Sequence, residues 1–383
     1  MSESVLSQIS VYPIKSIKGI DLSTSWVEKQ GIVFDRRLML ADQNGVMITA
    51  RAYPQLVRVN AQLTPKGMKL TFDQNEPLTI SYTQFSMQEV KTKVWNDSFV
   101  AYSTSDVANE WFSGILGIKV QLLYTGEESQ RVREKLGHNV SFADGYPLLV
   151  ISQGSLDELN RRSSEVHQMA QFRPNIVVSS TEPFIEDSWK RIKIGDVEFE
   201  IVKPCQRCIL TTVDTNTGQM KANKQPLKTL MQFRADENGG VYFGQNLVAL
   251  NEGRIQLDDP VEVVEYQKKP TYNDQNPGQT FATESPSSEE SSYNETSAKR
   301  VTIRLNNQEF EGDNQSSILQ QAEKQGLYIA SSCRAGICGT CRITLKSGLV
   351  DQENTPVLTE DDITNGKILA CCSVPLTDID IIN

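Results

Sequence analysis

The stretch ASSCRAGICGTC, residues 330–341, contains three of the seven cysteines of the chain. Four residues separate Cys333 from Cys338, two separate Cys338 from Cys341, and Cys371 and Cys372 follow at the end of a further apolar run. Thiols grouped so closely differ from the spread-out cysteines of a secreted disulfide framework and are typical of metal ligands in a reducing compartment. The stretch therefore predicts a metal centre.

The spacing of these thiols is that of a plant-type [2Fe–2S] cluster. Two irons bridged by two sulfides need four thiolates at fixed positions, and a tight loop supplies three of them. Gly336 and Gly339 allow the backbone to turn closely around a cluster and to aim its N–H groups at the sulfurs. A zinc site would more often show paired CxxC or histidine ligands. The fourth iron ligand is either Cys371 or Cys372.

The flanking sequence predicts a β-grasp domain. VTIRL and QEFEG form a hairpin around NNQ, SSILQQAEKQG follows as a capped helix, and the strands CRITLKSG and DIDII come after the thiols. The segment from Val301 onward resembles the plant-type ferredoxin family, in which Cys-x-x-x-Pro follows an apolar strand, as in LACCSVP, residues 369–375. The resemblance implies Cys371 as the fourth ligand. The predicted iron ligands are then Cys333, Cys338, Cys341 and Cys371.

A segment without aliphatic side chains divides the chain. Residues 270–298 contain no Val, Ile, Leu or Met, so they bury too little apolar surface to offset the entropy lost on ordering. Short alternating or β-branched runs before this segment predict a mostly β fold with α+β elements and a few helices. We predict two β-rich domains at 1–122 and 123–267, a flexible linker at 268–298 and a 2Fe–2S domain at 299–383.

Composition argues against several classes of function. The 383 residues carry a net charge of −10, which disfavours a general nucleic-acid binder. No apolar run approaches the ~18 residues that a membrane span needs, and the opening residues, MSESVLSQIS, do not look like a signal peptide. We expect a cytoplasmic protein without nucleic-acid or membrane partners.

A second cysteine pair lies in VKPCQRCILTTVD. A thioredoxin-like pair should open a helix, whereas the β-branched run that follows favours a strand. A zinc site needs two more ligands, and His138 and His167 have no suitable spacing. Two readings remain: Cys205 and Cys208 are buried structural thiols, or one of them is a thiolate ligand at the start of a strand, stabilised by Arg207.

Basic residues recur in short strand-like motifs of the first two domains. Several cations on otherwise apolar strands of an acidic protein suggest an anion pocket of the kind that binds a phosphate. Solvated surface charges and structural ion pairs are the alternative. The residues are Lys15, Lys18, Arg36, Arg37, Arg51 and Arg173.

The first two domains resemble the MOSC family, the molybdenum-cofactor sulfurase C-terminal domains, with their N-terminal β-barrel partner. The motifs YPIKSIKG, FDRRLML, ITARAYPQLV, FRPNIVV, CQRCILTTVD and YFGQN carry this resemblance, in the family's order, over residues 5–265. The resemblance implies an N-terminal MOSC β-barrel and a MOSC β-barrel domain. Functional relatives are the mitochondrial amidoxime-reducing components, and bacterial YcbX-like proteins add a C-terminal ferredoxin.

The resemblance also implies a molybdenum–pyranopterin cofactor and its contacts. Cys208 matches the cysteine that ligates molybdenum and is the predicted catalytic residue. Gly145 and Tyr146 replace small hydroxyl residues of the family, and Asn246 replaces a tyrosine. Asp214 is either a proton donor or a turn residue, and we favour the turn. The predicted cofactor-binding residues are Lys15, Ser16, Arg36, Gly145, Tyr146, Arg173, Gln206, Arg207 and Asn246.

These features imply a reductase of N-hydroxylated compounds that uses its own [2Fe–2S] domain as an electron relay. No GxGxxG motif precedes the linker, so we expect an external NAD(P)H-dependent flavoprotein reductase as electron donor. One alternative is a sulfur-carrier or cofactor-trafficking protein, although the chain is too short to include a pyridoxal-phosphate desulfurase. The other is an electron-transfer component of an oxygenase, with flavin in the N-terminal barrel.

Overall fold

The computed structural model describes residues 4–133, 137–275, 299–331, 334, 336, 339–352, 355 and 357–383. Strands predominate over helices in this part of the chain, which confirms the mostly β fold predicted from the sequence. None of the helices within these ranges is both long and apolar enough to cross a membrane.

The N-terminal part is built from short antiparallel strands and one capped helix. Ser105 accepts a hydrogen bond from the backbone N–H of Ala108 at the start of this helix, and Gly117 ends it in the left-handed conformation. The elements are β1 (Val5–Val11), β2 (Ile20–Leu22), β3 (Thr24–Glu28), β4 (Gly31–Ile32), β5 (Leu38–Ala41), β6 (Asn60–Thr64), β7 (Gly67–Thr71), β8 (Leu78–Ser81), β9 (Glu89–Val94), β10 (Asp97–Ser103), α1 (Asp106–Leu116) and β11 (Gln121–Tyr124).

The second part continues with longer strands and two helices. Ser152 caps the first of these helices by accepting a hydrogen bond from the backbone N–H of Ser155. The elements are β12 (Val132–Arg133), β13 (His138–Asn139), β14 (Leu148–Ser152), α2 (Gln153–Arg162), β15 (Ile176–Ser179), β16 (Trp189–Ile194), β17 (Val197–Gln206), α3 (Leu227–Arg234), β18 (Tyr242–Ala249), β19 (Gly253–Gln256) and β20 (Val261–Tyr266).

One large sheet joins the two parts, with the strand order β2-β1-β15-β14-β18-β17-β16-β20. Strand β14 lies in its middle and is buried along its whole length. Its residues alternate between two hydrophobic cores: Leu148 and Val150 face one core, and Leu149 and Ile151 face the other. Because β1 pairs with β15, the loop after β1 runs directly beside the second part, where the candidate site lies.

The ferredoxin-like part has the β-grasp order expected from the sequence. Its main sheet has the order β22-β21-β27-β23-β25, with β21 and β27 parallel, and α4 packs Ile318, Leu319 and Ala322 into its core. The elements are β21 (Arg300–Leu305), β22 (Gln308–Asp313), α4 (Ile318–Lys324), β23 (Arg342–Ser347), β24 (Val350–Gln352), α5 (Glu360–Thr364), β25 (Lys367–Leu369), β26 (Ser373–Pro375) and β27 (Ile379–Ile382).

The first residues of the segment assigned to the linker lie against the second part. The ring of Tyr272 lies 4.2 Å from the guanidinium carbon of Arg234, and Asp274 forms an ion pair of 2.8 Å with Arg162. Residues 276–298 of the predicted linker lie outside the described residues. The packed chain of the second part therefore extends to residue 275.

Candidate functional site

A pocket of about 550 Å³ opens between the loops of the first two parts. All residues that the sequence assigned to the cofactor line it, namely Lys15, Ser16, Arg36, Gly145, Tyr146, Arg173, Gln206, Arg207, Cys208 and Asn246. The fold thus brings together residues that are more than two hundred positions apart in the chain. Lys18 and Arg37 are not among the described lining residues, and Arg37 instead pairs with Glu28 at 3.0 Å.

The pocket has a strong excess of positive charge. Its described lining contains one acidic side chain, that of Asp144, and a larger set of basic ones. On a chain with a net charge of −10, this concentration favours an anionic ligand. The basic residues are Lys15, Arg36, Arg51, Arg173, Lys203 and Arg207.

Cys208 lies just beyond β17, at the entry to a short 3₁₀ helix that spans Ile209–Thr212. The prediction of a strand after Cys208 is therefore wrong. The hydroxyl of Thr211 donates to the carbonyl of Cys208 at 3.0 Å, and that of Thr212 donates to the carbonyl of Ile209 at 2.8 Å. These side-chain bonds stabilise a single tight turn and outweigh the strand preference of β-branched residues.

Arg51 is the polar neighbour of the Cys208 sulfur. Its Nε donates to Cys208 Sγ at 3.3 Å, and its Nη2 donates to Asp144 at 3.0 Å. Burial opposes the charge of Arg51, but Cys208 and Asp144 outweigh burial and raise the pKa of the guanidinium. A fixed cation beside a thiol stabilises the deprotonated sulfur, which is the form that binds metals.

Asp144 links Arg51 to Lys15, whose Nζ lies 2.5 Å from the Asp144 carboxylate. Burial lowers the pKa of Lys15 to about 8, although Asp144 opposes this effect. Enclosure in the pocket would raise the pKa of Asp144, but the charges of Lys15 and Arg51 hold it well below its usual range. Asp144 is therefore an anion that orients two cations of the pocket.

Tyr12 lies between two cations of the pocket wall. The guanidinium carbon of Arg36 is 4.3 Å from the centre of its ring and that of Arg173 is 4.0 Å away. Arg36 also pairs with the buried Asp35 at 2.7 Å, whereas no ion pair to Arg173 is found among the described residues. Burial lowers the pKa of Arg173 to about 10. An anion in the pocket would relieve the cost of this buried cation.

Four lining residues have left-handed backbones although they are not glycines. The φ angles are 76° at Ser16, 48° at Arg36, 56° at Trp95 and 54° at Arg173. Each such residue costs on the order of 1–3 kcal/mol, and residues of this kind concentrate at functional sites. The hydroxyl of Ser16 accepts from the backbone N–H of Ala50 at 3.0 Å, which holds the first of these turns in place.

Arg207 forms the floor of the pocket beneath the cysteine pair. Its Nε donates to the carbonyl of Phe243 at 2.8 Å and its Nη1 to that of Phe172 at 3.0 Å. Its Nη2 is buried and has no partner among the residues described. An unpaired buried guanidinium nitrogen, an excess of cations and a thiol beside a guanidinium together fit an anionic cofactor that binds through a thiolate.

The two cysteines of the CxxC motif have different surroundings. Cys205 packs against the apolar core beneath α3, and burial raises the pKa of its thiol. Near it, the Asn246 side chain donates to the carbonyls of Lys203 and Pro204 at 3.3 Å. These contacts favour a structural role for Cys205, while Cys208 is the thiol beside Arg51.

Other predicted residues are placed as follows. Lys203 Nζ lies 5.6 Å above the ring of Tyr146 at the pocket. Asp214 accepts from the backbone N–H groups of Asn216 and Thr217 at 2.8 and 2.9 Å and is not among the described lining residues. Asp214 is therefore the turn residue that the sequence favoured.

The cofactor contacts predicted from the sequence do not include Arg51, Asp144 or Trp95, which also line the pocket. Arg51 is one of the basic residues that suggested an anion pocket, but nothing in the sequence indicates that it contacts Cys208. Asp144 directly precedes Gly145 and resembles a turn residue in sequence. Trp95 lies in the turn between β9 and β10, and a tryptophan in a hairpin turn gives no sequence signal for a distant pocket.

The described thiols of the ferredoxin-like part lie close together. The backbone N–H of Gly336 donates to Cys371 Sγ at 3.2 Å, and Cys341 is buried within hydrogen-bonding reach of Cys371. Gly336 has a φ of 71°, and a Cβ atom there would lie 2.8 Å from Cys372 Sγ. Cys333 and Cys338 lie outside the described residues. The N–H aimed at sulfur and the glycine that no larger residue can replace both fit a cluster-binding loop.

The chain matches three protein families in succession. Residues 3–119 match the MOSC N-terminal beta barrel domain, residues 137–262 the MOSC domain, and residues 301–376 the 2Fe-2S iron-sulfur cluster binding domain.

Relatives are found among the mitochondrial amidoxime-reducing components. Component 1 from Homo sapiens is 32% identical over 284 residues, which cover 67% of this chain and 82% of the relative. Component 2 from Rattus norvegicus is 32% identical over 278 residues, which cover 67% of this chain and 82% of the relative. A structure of pectocin M2 is 35% identical over 22% of this chain and 32% of its own, with a TM-score of 0.21, which is too low to support any statement about fold or function.

These matches confirm the family predicted from the sequence. The MOSC domain and the 2Fe–2S domain also support the two predicted cofactors, a molybdenum–pyranopterin and a [2Fe–2S] cluster. This chain belongs to the MOSC-domain family of the mitochondrial amidoxime-reducing components and carries a 2Fe–2S ferredoxin-type domain in addition.

Proposed function

We propose that this protein is a molybdenum-cofactor oxidoreductase that reduces N-hydroxylated compounds, such as hydroxylaminopurines and amidoxime-like groups, to amines. In this reaction the N–O bond of R–NHOH breaks, two electrons and two protons are taken up, and R–NH₂ and water form. The relationship to amidoxime-reducing components supports the reaction class. The observation that carries the proposal is the thiol of Cys208 beside Arg51 in a pocket lined with cations.

Cys208 would hold the molybdenum through its sulfur, to which Arg51 donates a hydrogen bond. Lys15, Ser16, Arg36 and Arg173 would bind the pyranopterin and its phosphate. When bound, this cofactor supplies two-electron oxygen-atom chemistry, since a soft metal accepts a thiolate and keeps open positions for oxygen ligands. The remaining predicted contacts are Gly145, Tyr146, Gln206, Arg207 and Asn246.

The Asp144 carboxylate would orient the pocket for this role. It accepts from both Lys15 and Arg51, so the guanidinium that faces the Cys208 sulfur is fixed before any ligand binds. A preoriented charge needs little rearrangement when the ligand arrives, which favours binding.

Cys333, Cys338, Cys341 and Cys371 would hold the iron of the ferredoxin-type domain. The backbone N–H of Gly336, which donates to Cys371 Sγ at 3.2 Å, supports Cys371 over Cys372 as the fourth ligand. An external NAD(P)H-dependent flavoprotein reductase would supply the electrons. The cytoplasmic location stays a prediction from cysteine usage.

Turnover of an amidoxime by the purified protein with a small-molecule reductant tests the proposal. We expect the wild-type protein and the matched variant Cys205→Ala to form the amidine, and Cys208→Ala to lose turnover. The trafficking alternative makes a different prediction. In that case the molybdenum-containing protein would reduce no N-hydroxylated compound and would pass the cofactor to a cofactor-free acceptor enzyme.

A further inference from the structure

Trp95 forms part of the rim of the pocket, in the turn between β9 and β10. The guanidinium carbon of Arg51 lies 4.6 Å from the centre of its ring, and its indole N–H donates to Asp144 at 3.3 Å. Its φ angle is 56°, a costly conformation for a bulky side chain. Trp95 is therefore held by Arg51, which contacts the Cys208 sulfur, and by Asp144, which holds Arg51.

Arg334 approaches Trp95 from the ferredoxin-type domain. It follows the predicted iron ligand Cys333 in the sequence, and its guanidinium carbon lies 5.8 Å from the centre of the Trp95 ring. Glu323, at the end of α4, holds the same guanidinium with both carboxylate oxygens. Arg334 also has a left-handed backbone, with a φ of 58°. The ion pair with Glu323 therefore fixes the Arg334 guanidinium on its own domain, at the position where it faces Trp95.

The two contacts of Trp95 connect the domains in a continuous series. The series runs from Arg334 through Trp95 and Arg51 to the sulfur of Cys208, with separations of 5.8, 4.6 and 3.3 Å. A tryptophan between two guanidinium groups is a favourable cation–π arrangement, with Trp as the best of the aromatic acceptors. It places a large conjugated ring between the residue beside an iron ligand and the candidate molybdenum ligand.

We propose that Trp95 is the docking platform on which the ferredoxin-type domain engages the pocket through Arg334, and that electrons cross between the domains at this contact. The proposal rests on the proposed function. Each crossing moves one electron from the reduced ferredoxin-type domain to the pocket. Two crossings and two protons complete the reduction of one N–O bond, and the external reductase restores the electrons.

The docking contact is testable without turnover, by hydrogen exchange of the full-length, cluster-loaded protein. Arg334→Glu reverses the charge that faces Trp95, and we expect faster amide exchange in the turn at residues 93–98. Arg300→Glu is the matched control, since it makes the same charge change on an exposed side chain of β21 in the same domain. Unchanged exchange at residues 93–98 in Arg334→Glu, with the cluster absorption intact, would overturn the proposal.

Electron crossing is tested by the recovery of the oxidised cluster's absorption after the reduced protein is mixed with an N-hydroxylated substrate. We expect Arg334→Glu and Trp95→Ala each to slow recovery by roughly threefold to tenfold, the range that one partly buried cation–π contact supports. The double variant should be no slower than either single variant, and Trp95→Phe, which keeps an aromatic face, should be intermediate. Additive effects, or recovery at the wild-type rate, would contradict the proposal.

The two tests separate this proposal from the proposed function. Exchange at residues 93–98 is compared between proteins of equal molybdenum content, so it reports docking even if the protein reduces no N-hydroxylated compound. If a small-molecule reductant supports equal turnover in Arg334→Glu and the wild-type protein, and Arg334→Glu does not slow cluster recovery, the proposed function stands and the docking contact is refuted.

Discussion

The Nε of Arg51 donates a hydrogen bond to the Sγ of Cys208 at 3.3 Å, across a sequence separation of 157 residues. This contact joins the two β-rich parts of the chain at the candidate cofactor ligand. The contact fixes a cation beside the sulfur of the candidate ligand, and it leads to the first prediction.

Replacing Arg51 by lysine should weaken molybdenum binding. Lysine keeps the charge but loses the planar group that contacts both Cys208 and Asp144. Since a charge-assisted hydrogen bond contributes about 1.5–3 kcal/mol, affinity should fall by roughly tenfold to a hundredfold. Molybdenum retained after gel filtration measures this. Arg58→Lys, which alters an arginine paired with Asp73, is the control, and equal metal retention in both variants would refute the role of Arg51.

Gly336→Ala should prevent cluster assembly. The new Cβ would lie 2.8 Å from Cys372 Sγ, at a φ of 71°. Gly326→Ala is a matched control, because its φ is 73° but no atom lies within 4 Å of the position of the added Cβ. Both variants have similar backbone strain, so a difference in iron content and visible absorption isolates the clash. Full iron content in Gly336→Ala would show that the thiols are arranged differently.

His167 should make the fold sensitive to mild acid. Burial lowers its pKa from 6.5 to about 4, while Ser163 lies 2.7 Å from its Nε2. Between these pH values the unfolded chain binds the proton and the folded chain does not, so stability falls as the pH drops from 6.5 towards 4.

The variant His167→Gln should reduce this loss. Urea unfolding at pH 7 and pH 4.5 measures the loss of the free energy of unfolding in each variant. The chain has two histidines, so the same substitution at the other one, His138→Gln, is the control. Equal acid sensitivity of the His167→Gln variant and the wild-type protein would show that other groups are responsible.

Lys15 should affect stability at alkaline pH. Burial lowers its pKa from 10.5 to about 8, so between these values the unfolded state binds more protons than the folded state. The contribution of Lys15 to the free energy of unfolding therefore rises as the pH increases from about 8 to 10.5. In cofactor-free protein, Lys15→Met should flatten this rise in urea unfolding experiments. If the free energy of unfolding of Lys15→Met rises with pH as steeply as that of the wild-type protein, a group other than Lys15 is responsible for the rise.

Much of this organisation is predictable from the sequence because it follows from local patterns. The thiol spacing around Cys338 predicts a ferredoxin-type domain, and the family motifs predict residues that all line one pocket. The sequence could not predict that Asp144 would link Lys15 to Arg51, because that depends on how three distant loops meet. The strand predicted after Cys208 is wrong because threonine hydroxyls bond the turn, an effect that residue preferences do not include.

Metal analysis of the full-length protein, made in cells that supply the molybdenum cofactor, tests most directly whether Cys208 binds molybdenum. We predict that Cys208→Ala loses molybdenum and keeps its iron, whereas Cys205→Ala keeps both. Molybdenum retained by Cys208→Ala, or absent from the wild-type protein when iron is present, would contradict the account.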